Sequence, residues 1–313
     1  MSKVAVIDIG TNTSKIHIVE IAGDQFTSIR KEKIPTKLGK GGIQNMRISD
    51  EAVQRLEDAL LIFKDICIEE KCANIMAFAT AMMRNSENGN EVAEYIHDKT
   101  GIAIQIIDGQ EEADLIFRGV SECVDSKIGQ YLIMDIGGGS TEFVLVTNGQ
   151  SEWQKSFQFG ATSLLEKFVK DDPVSASNIR EINGFLEDEL SDLFSQIRSV
   201  NIPLIGSSGT FESISEMIAH RSEKMESYES GMPKINAIES IQSLHNSIIH
   251  SNRIERSRMR GLPEFRIDTI VTALISLNFL FSKIQFSAVH TAPYSLKEGA
   301  IVKYFLGQKE QQH

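Results

Sequence analysis

The sequence IDIGTNTS, residues 7–14, returns with small changes as MDIGGGST at residues 134–141. In each copy an apolar run reaches an aspartate, continues into glycine and small polar residues, and is followed by a second apolar run. Two short apolar runs around a glycine-containing turn are typical of a β-hairpin. The repetition indicates an internal duplication, with one hairpin opening each of two domains.

Strand-like and helix-like segments alternate along the rest of the chain, which is typical of an α/β fold. We expect two domains, at 1–125 and 126–313, with their boundary in the polar stretch 125–130. The last helix, near 297–310, is expected to pack back on the first domain. The other predicted segments are helices at 49–71, 88–100, 111–123, 160–170, 175–198, 236–259 and 267–283, strands at 74–79, 102–107, 202–206 and 286–290, and a loop at 221–234.

Length and composition limit the classes of protein to consider. The chain has 313 residues, 41% of them hydrophobic, which suffices for two ordinary domains. No stretch approaches the ~18 uninterrupted apolar residues of a membrane span, so a cytoplasmic protein is expected. The net charge of −11 opposes binding to nucleic acid or to an anionic membrane. Cys67, Cys72 and Cys123 lack the spacing of a zinc site and are expected to be reduced.

The two aspartate-containing turns are the strongest chemical signal in the sequence. A carboxylate at the end of a strand, followed by small residues with accessible amides, can hold a metal ion beside a phosphate. An ordinary hairpin turn is the alternative for either copy alone, whereas two copies that share the aspartate favour phosphate binding. The predicted phosphate-binding residues are Gly10, Thr11, Asn12, Thr13 and Ser14 in the first turn and Gly137, Gly138, Gly139, Ser140 and Thr141 in the second.

Arg84 follows an apolar strand at a predicted strand-to-helix junction, where α/β folds place ligand contacts. We expect its guanidinium to bind phosphate oxygens, with an ordinary surface arginine as the alternative. Asn88 is a second candidate on the same segment. Two basic clusters are either tracks for a polyanion or solvated faces. The first contains Lys31, Lys33, Lys37 and Lys40, and the second contains Arg253, Arg256, Arg258, Arg260 and Arg266.

The two hairpin sequences, IDIGTNTS and MDIGGGSTE, resemble the phosphate loops of the actin, heat-shock ATPase and sugar kinase superfamily. Between them, IDGQEEADLIFRGV at residues 107–120 resembles the motif of the exopolyphosphatase and guanosine pentaphosphatase family, Ppx/GppA, within that superfamily. The resemblance extends along nearly the whole chain. Its further segments are ATAMMRNSEN at 79–88, IGSSGTFESIS at 205–215, RGLPEFRIDTI at 260–270 and YSLKEGAI at 294–301.

The resemblance implies two RNase H-like (actin-like ATPase) domains with an interdomain cleft, each with a five-stranded mixed sheet. It assigns Mg²⁺, or another divalent cation, to Asp135 and Glu142, and Asp8 is expected to approach the same ion. An outward-facing residue at the start of a strand is the alternative for Glu142. The resemblance also places Gly209 and Thr210 in a third phosphate-binding loop. No organic cofactor is expected.

Glu111 and Glu112 are adjacent in the family-like motif and would point about 100° apart on a helix, so one of them is expected to act. The resemblance singles out Glu112 as the base that orients and deprotonates a water for in-line attack. The residues alone favour a solvated pair in the first turn of a helix. Two positions depart from the family pattern, because Asp114 and Lys37 stand where the family usually has arginine.

By this resemblance we expect a metal-dependent exopolyphosphatase that removes the terminal phosphoryl group of inorganic polyphosphate. Three alternatives stay open: a guanosine pentaphosphate 5'-phosphohydrolase, a sugar or acetate kinase, and a non-catalytic protein that binds a nucleotide or alarmone. The sequence ends at His313 without the extra helical domain of longer family members, so shorter substrates or less processive hydrolysis are expected. A homodimer is a further open expectation.

Overall fold

The chain folds into two compact units of the α/β type. The first unit contains Met1–Gly119 and Leu296–His313, and the second contains Val120–Ser295. No helix in the described parts of the chain is both long and apolar enough to cross a membrane. The computed structural model describes residues 2–43, 45–125, 127–197, 199–221 and 233–306.

Within the described residues, the first unit is built on a five-stranded mixed sheet. Its strands are β1 Ser2–Ile9, β2 Ser14–Ala22, β3 Gln25–Ile34, β4 Asn74–Ala79 and β5 Ile104–Ile106. Their order across the sheet is β3–β2–β1–β4–β5, in which β2 is antiparallel to both of its neighbours and β4 and β5 run parallel to β1. The helices of this region are α1 Asp50–Glu69, α2 Ala81–Asn85, α3 Gly89–Thr100 and α4 Gly109–Ser121.

The central strand and the longest helix of this unit form from the patterns that the sequence shows. The apolar run Val4–Ile7 in β1 is fully buried in the middle of the sheet. Ser49 caps the N-terminus of α1, and its hydroxyl accepts an N–H of the first turn at 3.3 Å. Leu56, Leu60 and Phe63 recur at helical spacing and pack into the same core as the β1 side chains. This packing fixes the strand end that carries the first aspartate turn.

The described part of the second unit holds a six-stranded mixed sheet. Its strands are β6 Gln130–Ile136, β7 Thr141–Thr147, β8 Gln150–Phe157, β9 Ile202–Ser207, β10 Lys234–Asn236 and β11 Phe286–Thr291, in the order β10–β11–β9–β6–β7–β8. Its helices are α5 Ala161–Phe168, α6 Ala176–Glu189, α7 Ser191–Gln196, α8 Ser208–Arg221, α9 Ile238–Ile249, α10 Arg253–Ser257 and α11 Thr269–Lys283. A 3-10 turn, Glu264–Arg266, precedes α11.

After the second unit the chain forms α12, Leu296–Ile301, and a π-helical turn, Val302–Leu306, in the first unit. Gly299 of α12 lies against α4, and a Cβ at this position would stand 1.7 Å from the carbonyl oxygen of Leu115. Such a separation is far below contact distance, so the close approach of α12 to α4 requires glycine.

We expect Gly299→Ala to destabilise the protein by about 1–3 kcal/mol, because the added methyl group overpacks a site lined by backbone. Gly184 in α6 is the matched control, since a Cβ there meets no atom within 4 Å. Gly184→Ala should be neutral or stabilising by up to about 1 kcal/mol, because alanine is the better helix former. The midpoint of urea unfolding measures both effects, and equal midpoints for the two variants would contradict the contact.

The predicted α/β fold with two mixed sheets is confirmed. The expectation of five strands in the second sheet is wrong, because β10 adds a sixth at the sheet edge. β10 has three residues, too few to show a period of two, and it begins inside the stretch predicted as a loop at 221–234. The following residues of predicted segments lie outside the described residues: 126, 198, 222–232 and 307–310.

Two helices predicted as continuous are each divided in the structure. The segment 236–259 becomes α9 and α10, because Asn252 caps a new helix and Glu255 bonds back to the Asn252 N–H at 2.8 Å. The segment 175–198 becomes α6 and α7, which meet at Leu190. Across the second break the apolar spacing continues through Leu190 and Leu193, so hydrophobic periodicity alone gives no sign of it, whereas at the first break no apolar residue stands between Ile249 and Ile254.

Candidate active site

The repeated sequence forms the same tight turn in both units. In the first, the Gly10 N–H donates to the Thr13 carbonyl at 3.0 Å, and in the second the Gly137 N–H donates to the Ser140 carbonyl at 3.0 Å. The turns join antiparallel strands, β1 to β2 and β6 to β7. A Cβ on Gly137 would lie 2.9 Å from the Ser140 carbonyl oxygen, so this turn needs glycine. The predicted pair of hairpins is confirmed.

The first turn, Gly10–Ser14, is anchored by the segment at 36–39. Backbone N–H groups of Lys37 and Gly39 donate to carbonyls of the turn at 2.9 and 3.0 Å. A Cβ on Gly39 would lie 2.4 Å from the methyl group of Thr11, so the two segments touch closely at this point. These contacts hold the turn in one conformation. Binding of phosphate by the residues of this turn stays a prediction.

The second turn is anchored by α5. Two N–H groups in the first turn of this helix donate to the carbonyls of Gly137 and Gly138, both at 2.9 Å. A Cβ on Gly160 would lie 2.6 Å from the carbonyl of Gly138. The Thr141 hydroxyl donates its proton to the Phe159 carbonyl at 2.8 Å. The second turn is therefore rigid, and Thr141 uses its hydroxyl proton within the protein.

Arg84 and Glu112 form a buried ion pair in the first unit. Arg84 Nη1 lies 2.8 Å from Glu112 Oε2 and also donates to the Ile107 carbonyl at 3.0 Å. Glu112 is 7% exposed. Arg84 Nη2 is buried and has no hydrogen-bond partner in the described part of the chain. Because a buried guanidinium donor without a partner is costly, this nitrogen points to an anionic ligand beside Glu112.

The structure separates the roles of the two adjacent glutamates. Glu111 accepts a hydrogen bond from the Tyr304 hydroxyl at 2.7 Å and lies 3.3 Å from Lys303 Nζ. Its contacts therefore attach the C-terminal segment to α4. Glu112 instead faces Arg84. Of the two carboxylates only Glu112 contacts the predicted phosphate-binding arginine, and its role as a base stays a prediction.

Asp135 and Glu142 lie directly opposite each other on β6 and β7, so their side chains share one face of the sheet. Both are buried, at 6% and 1% exposure. Hydroxyl groups donate to both carboxylates: Ser208 and Ser295 to the two oxygens of Asp135 at 2.6 and 3.2 Å, and Ser156 to Glu142 at 2.7 Å. The sequence reasoning missed these serines, although two of them lie in the family-like segments at 205–215 and 294–301.

This pair of carboxylates fits a divalent cation. Like charges directly opposite each other on neighbouring strands are destabilising, and a cation between them removes the repulsion. No cluster of three or more His, Cys, Asp or Glu side chains suited to a metal occurs among the residues that the structure describes. Two carboxylates alone suit Mg²⁺, which keeps several waters and takes one or two protein carboxylates together with phosphate oxygens.

The first hairpin carries a different pair at the equivalent positions. Asp8 corresponds to Asp135, but Lys15 stands where the second hairpin has Glu142, and the two residues of each pair face each other across the strands. Lys15 Nζ lies 3.5 Å from Asp8 Oδ2. The ammonium group thus supplies the positive charge that the second hairpin lacks, and the predicted approach of Asp8 to the metal stays a prediction.

The third predicted loop lies between β9 and α8. The Thr210 hydroxyl donates to the Ile136 carbonyl at 2.8 Å, which ties α8 to the end of β6. A Cβ on Gly209 would lie 2.4 Å from Arg266 Nη2, so the guanidinium sits directly over this glycine. Burial lowers the pKa of Arg266, against the attraction of nearby carboxylates that include Asp135. A basic group is therefore fixed close to the candidate cation site.

Other basic residues of the two predicted clusters make contacts within the protein. Arg253 lies 3.1 Å from Asp268, and the buried Arg256 lies 2.8 Å from Asp172. Lys31 lies 2.9 Å from a buried glutamate of α12. These three side chains therefore have acidic partners within the protein, and a polyanion track along the clusters stays a prediction.

Two further candidates also have structural partners. The buried Asn88 side chain exchanges two hydrogen bonds with the backbone of Ile48, each at 2.9 Å. Asp114, which stands where the family usually has arginine, lies 3.0 Å from Arg118 one turn later in α4. Both contacts fix local structure within the first unit.

The fold and these sites together define a class of protein. Two mixed sheets, each with an aspartate next to the last residue of a strand and a tight glycine turn after it, are consistent with the fold of the actin-like ATPase superfamily. The model of the Ppx/GppA phosphatase family matches residues 17–307. The chain belongs to this family, as its motifs predict.

Known proteins of similar sequence and structure agree with this membership. Exopolyphosphatase 1 of Mycobacterium tuberculosis is 24% identical over 307 residues, which cover 96% of this chain and 88% of that protein. The crystal structure of an exopolyphosphatase from Cytophaga hutchinsonii has a TM-score of 0.91 at 31% identity and covers 96% of both chains. A Ppx/GppA family member from Aquifex aeolicus shares the fold at 22% identity, with a TM-score of 0.79 over 98% of this chain and 99% of that one.

Proposed function

We propose that the chain is a metal-dependent exopolyphosphatase that hydrolyses the terminal phosphoryl group of inorganic polyphosphate and releases orthophosphate. The observation that carries this function is the buried pair of Glu112 and Arg84, in which Arg84 Nη2 has no hydrogen-bond partner among the described residues. Membership of a phosphatase family supports it, as do two relatives that are named exopolyphosphatases.

In this reaction Glu112 accepts the proton of the attacking water at a carboxylate oxygen. Arg84 donates from Nη2 to an oxygen of the terminal phosphoryl group, while its Nη1 stays 2.8 Å from Glu112. Because one guanidinium contacts both the base and the phosphoryl group, the water and the phosphorus atom are held in place for in-line attack.

We assign the divalent cation to Asp135 and Glu142. When bound, Mg²⁺ neutralises phosphate oxygens and the charge that develops as the phosphoryl group leaves. The rigid Gly137–Thr141 turn next to these carboxylates contributes backbone amides to the phosphate chain. Gly10–Ser14, Gly209 and Thr210 are proposed as further phosphate contacts.

We further propose the cytoplasm as the location and polyphosphate, rather than nucleic acid, as the binding partner. Among the described residues, Cys67, Cys72 and Cys123 form no disulfide bond with one another. The homodimer stays a prediction.

A phosphate-release assay with the full chain tests this function. With Mg²⁺ and no acceptor, the protein should release orthophosphate from polyphosphates faster than from guanosine pentaphosphate or ATP, and chelation of the cation should stop the release. Preferential release from guanosine pentaphosphate would identify the 5'-phosphohydrolase instead. Release that requires an acceptor would identify a kinase, and binding without release would identify a sensor.

A further inference from the structure

Ser208 adopts a backbone conformation that L-amino acids avoid. It is the first residue of α8, directly after β9, and its φ is +64°. For a residue with a Cβ the left-handed region costs roughly 1–2 kcal/mol, whereas glycine adopts it freely. Strain of this kind persists where the surrounding structure imposes it, and it is commonest at functional sites.

The strained backbone brings the Ser208 hydroxyl to Asp135. Its Oγ donates to Asp135 Oδ1 at 2.6 Å, and the Ser295 hydroxyl donates to Oδ2 at 3.2 Å. Both carboxylate oxygens are thus held by hydroxyls from two separate segments of the second unit. Each oxygen has two lone-pair positions, so these bonds fix the orientation of the carboxylate and still leave it able to bind a cation.

The neighbouring Gly209 is required as glycine for a separate steric reason. Its α-hydrogen side is covered by Arg266, whose Nη2 would lie 2.4 Å from a Cβ on Gly209. The glycine is therefore needed where the guanidinium passes, and the left-handed residue one position earlier is a serine. The backbone strain therefore lies at Ser208, the residue whose hydroxyl contacts Asp135.

We propose that Ser208 is a positioning residue that orients Asp135 for the divalent cation, with Ser295 acting on the other carboxylate oxygen. This role rests on the proposed function, in which Asp135 and Glu142 bind the cation. Outer partners of metal ligands typically change metal affinity by about 10–100-fold. The backbone strain at Ser208 is retained because relief by glycine would remove the hydroxyl.

Two substitutions of Ser208 separate the hydroxyl from the strain. Ser208→Ala removes the hydroxyl and keeps the strained backbone, whereas Ser208→Gly removes both. Ser208→Gly should therefore melt about 2–4 °C above Ser208→Ala. Both variants should bind Mn²⁺ about 10–100-fold more weakly than the wild type in a titration followed by electron paramagnetic resonance, without any substrate. Ser295→Ala should weaken Mn²⁺ binding in the same direction.

Lys71→Gly is the matched control, since Lys71 also has a positive φ, +58°, and belongs to the first unit, whereas Asp135 belongs to the second. It should raise Tm and leave the Mn²⁺ affinity unchanged. If Ser208→Gly regains the wild-type Mn²⁺ affinity, or Ser208→Ala retains it, the positioning role is overturned. Asp135→Asn tests the cation site separately from the positioning role of Ser208. Unchanged Mn²⁺ binding in this variant would overturn the cation site itself and the role of Ser208 with it.

Discussion

Turnover of polyphosphate is expected to fall by about 10²–10⁴-fold when Glu112 is replaced by Gln. The glutamine keeps the size of the side chain and an oxygen that can accept from Arg84, which lies 2.8 Å from Glu112 in the native pair. An amide does not take up the proton of the attacking water at neutral pH. Substrate binding should change little, because Arg84 keeps its place. Steady-state phosphate release should therefore show a lower kcat at a similar KM.

Glu111→Gln is the matched control for this experiment. Glu111 is the adjacent carboxylate, and its oxygen accepts from the Tyr304 hydroxyl and lies near Lys303 rather than near Arg84. Its replacement should leave kcat close to the wild-type value. Near-wild-type turnover of Glu112→Gln, or equal losses in the two variants, would show that Glu112 is not the base.

The second large effect is on stability, and we expect Glu298→Gln to lower the free energy of unfolding by about 3–5 kcal/mol. Glu298 of α12 is 1% exposed and lies 2.9 Å from both His17 Nδ1 and Lys31 Nζ. The neighbouring Lys297 is buried as well. Removal of the carboxylate charge leaves the buried Lys297 without the opposite charge that attracts it. Urea unfolding followed by far-UV circular dichroism measures the loss.

Lys31→Ala is the control for Glu298→Gln, because the Lys31 side chain is 46% exposed and its ammonium can be solvated. Loss of a partly exposed ion pair typically costs only about 0–1 kcal/mol. A loss in Lys31→Ala as large as that in Glu298→Gln would contradict the assignment of the main cost to the buried charge.

The pH dependence of stability gives a second readout of this cluster. Burial lowers the pKa of His17 below its usual 6.5. Burial by itself raises the pKa of Glu298, but attraction to Lys297, His17 and Lys31 outweighs this and places it well below the usual 4.5. As the pH falls, both groups are protonated in the unfolded chain at a higher pH than in the folded protein. Stability should therefore fall as the pH drops below 6.5 and fall further below 4.5, and the lower step should become smaller in Glu298→Gln.

The strands in the interior of each sheet were predictable because they are short, mainly apolar runs. The predicted strand at 74–79 coincides with β4, and the predicted strand at 202–206 ends one residue before β9 does. The edge strands β3 and β8 were not predicted. Most residues of β3 are exposed or half-buried, so its sequence QFTSIRKEKI lacks the apolar alternation that marks a strand with one buried face. This segment forms a strand because it pairs with β2, and its own sequence gives no sign of that pairing.

By itself the sequence determined the two aspartate turns, because a strand end, a glycine and small polar residues are local features that lie within eight consecutive residues. Only the tertiary structure decided what each carboxylate contacts. Glu112 accepts a hydrogen bond from Arg84, and Glu111 accepts one from Tyr304. Asp135 accepts hydrogen bonds from the hydroxyls of Ser208 and Ser295. These partners are far apart along the chain and meet only when the sheets and helices pack. The charge environment of a side chain depends on that packing, whereas the turn that carries it depends on its neighbours in sequence.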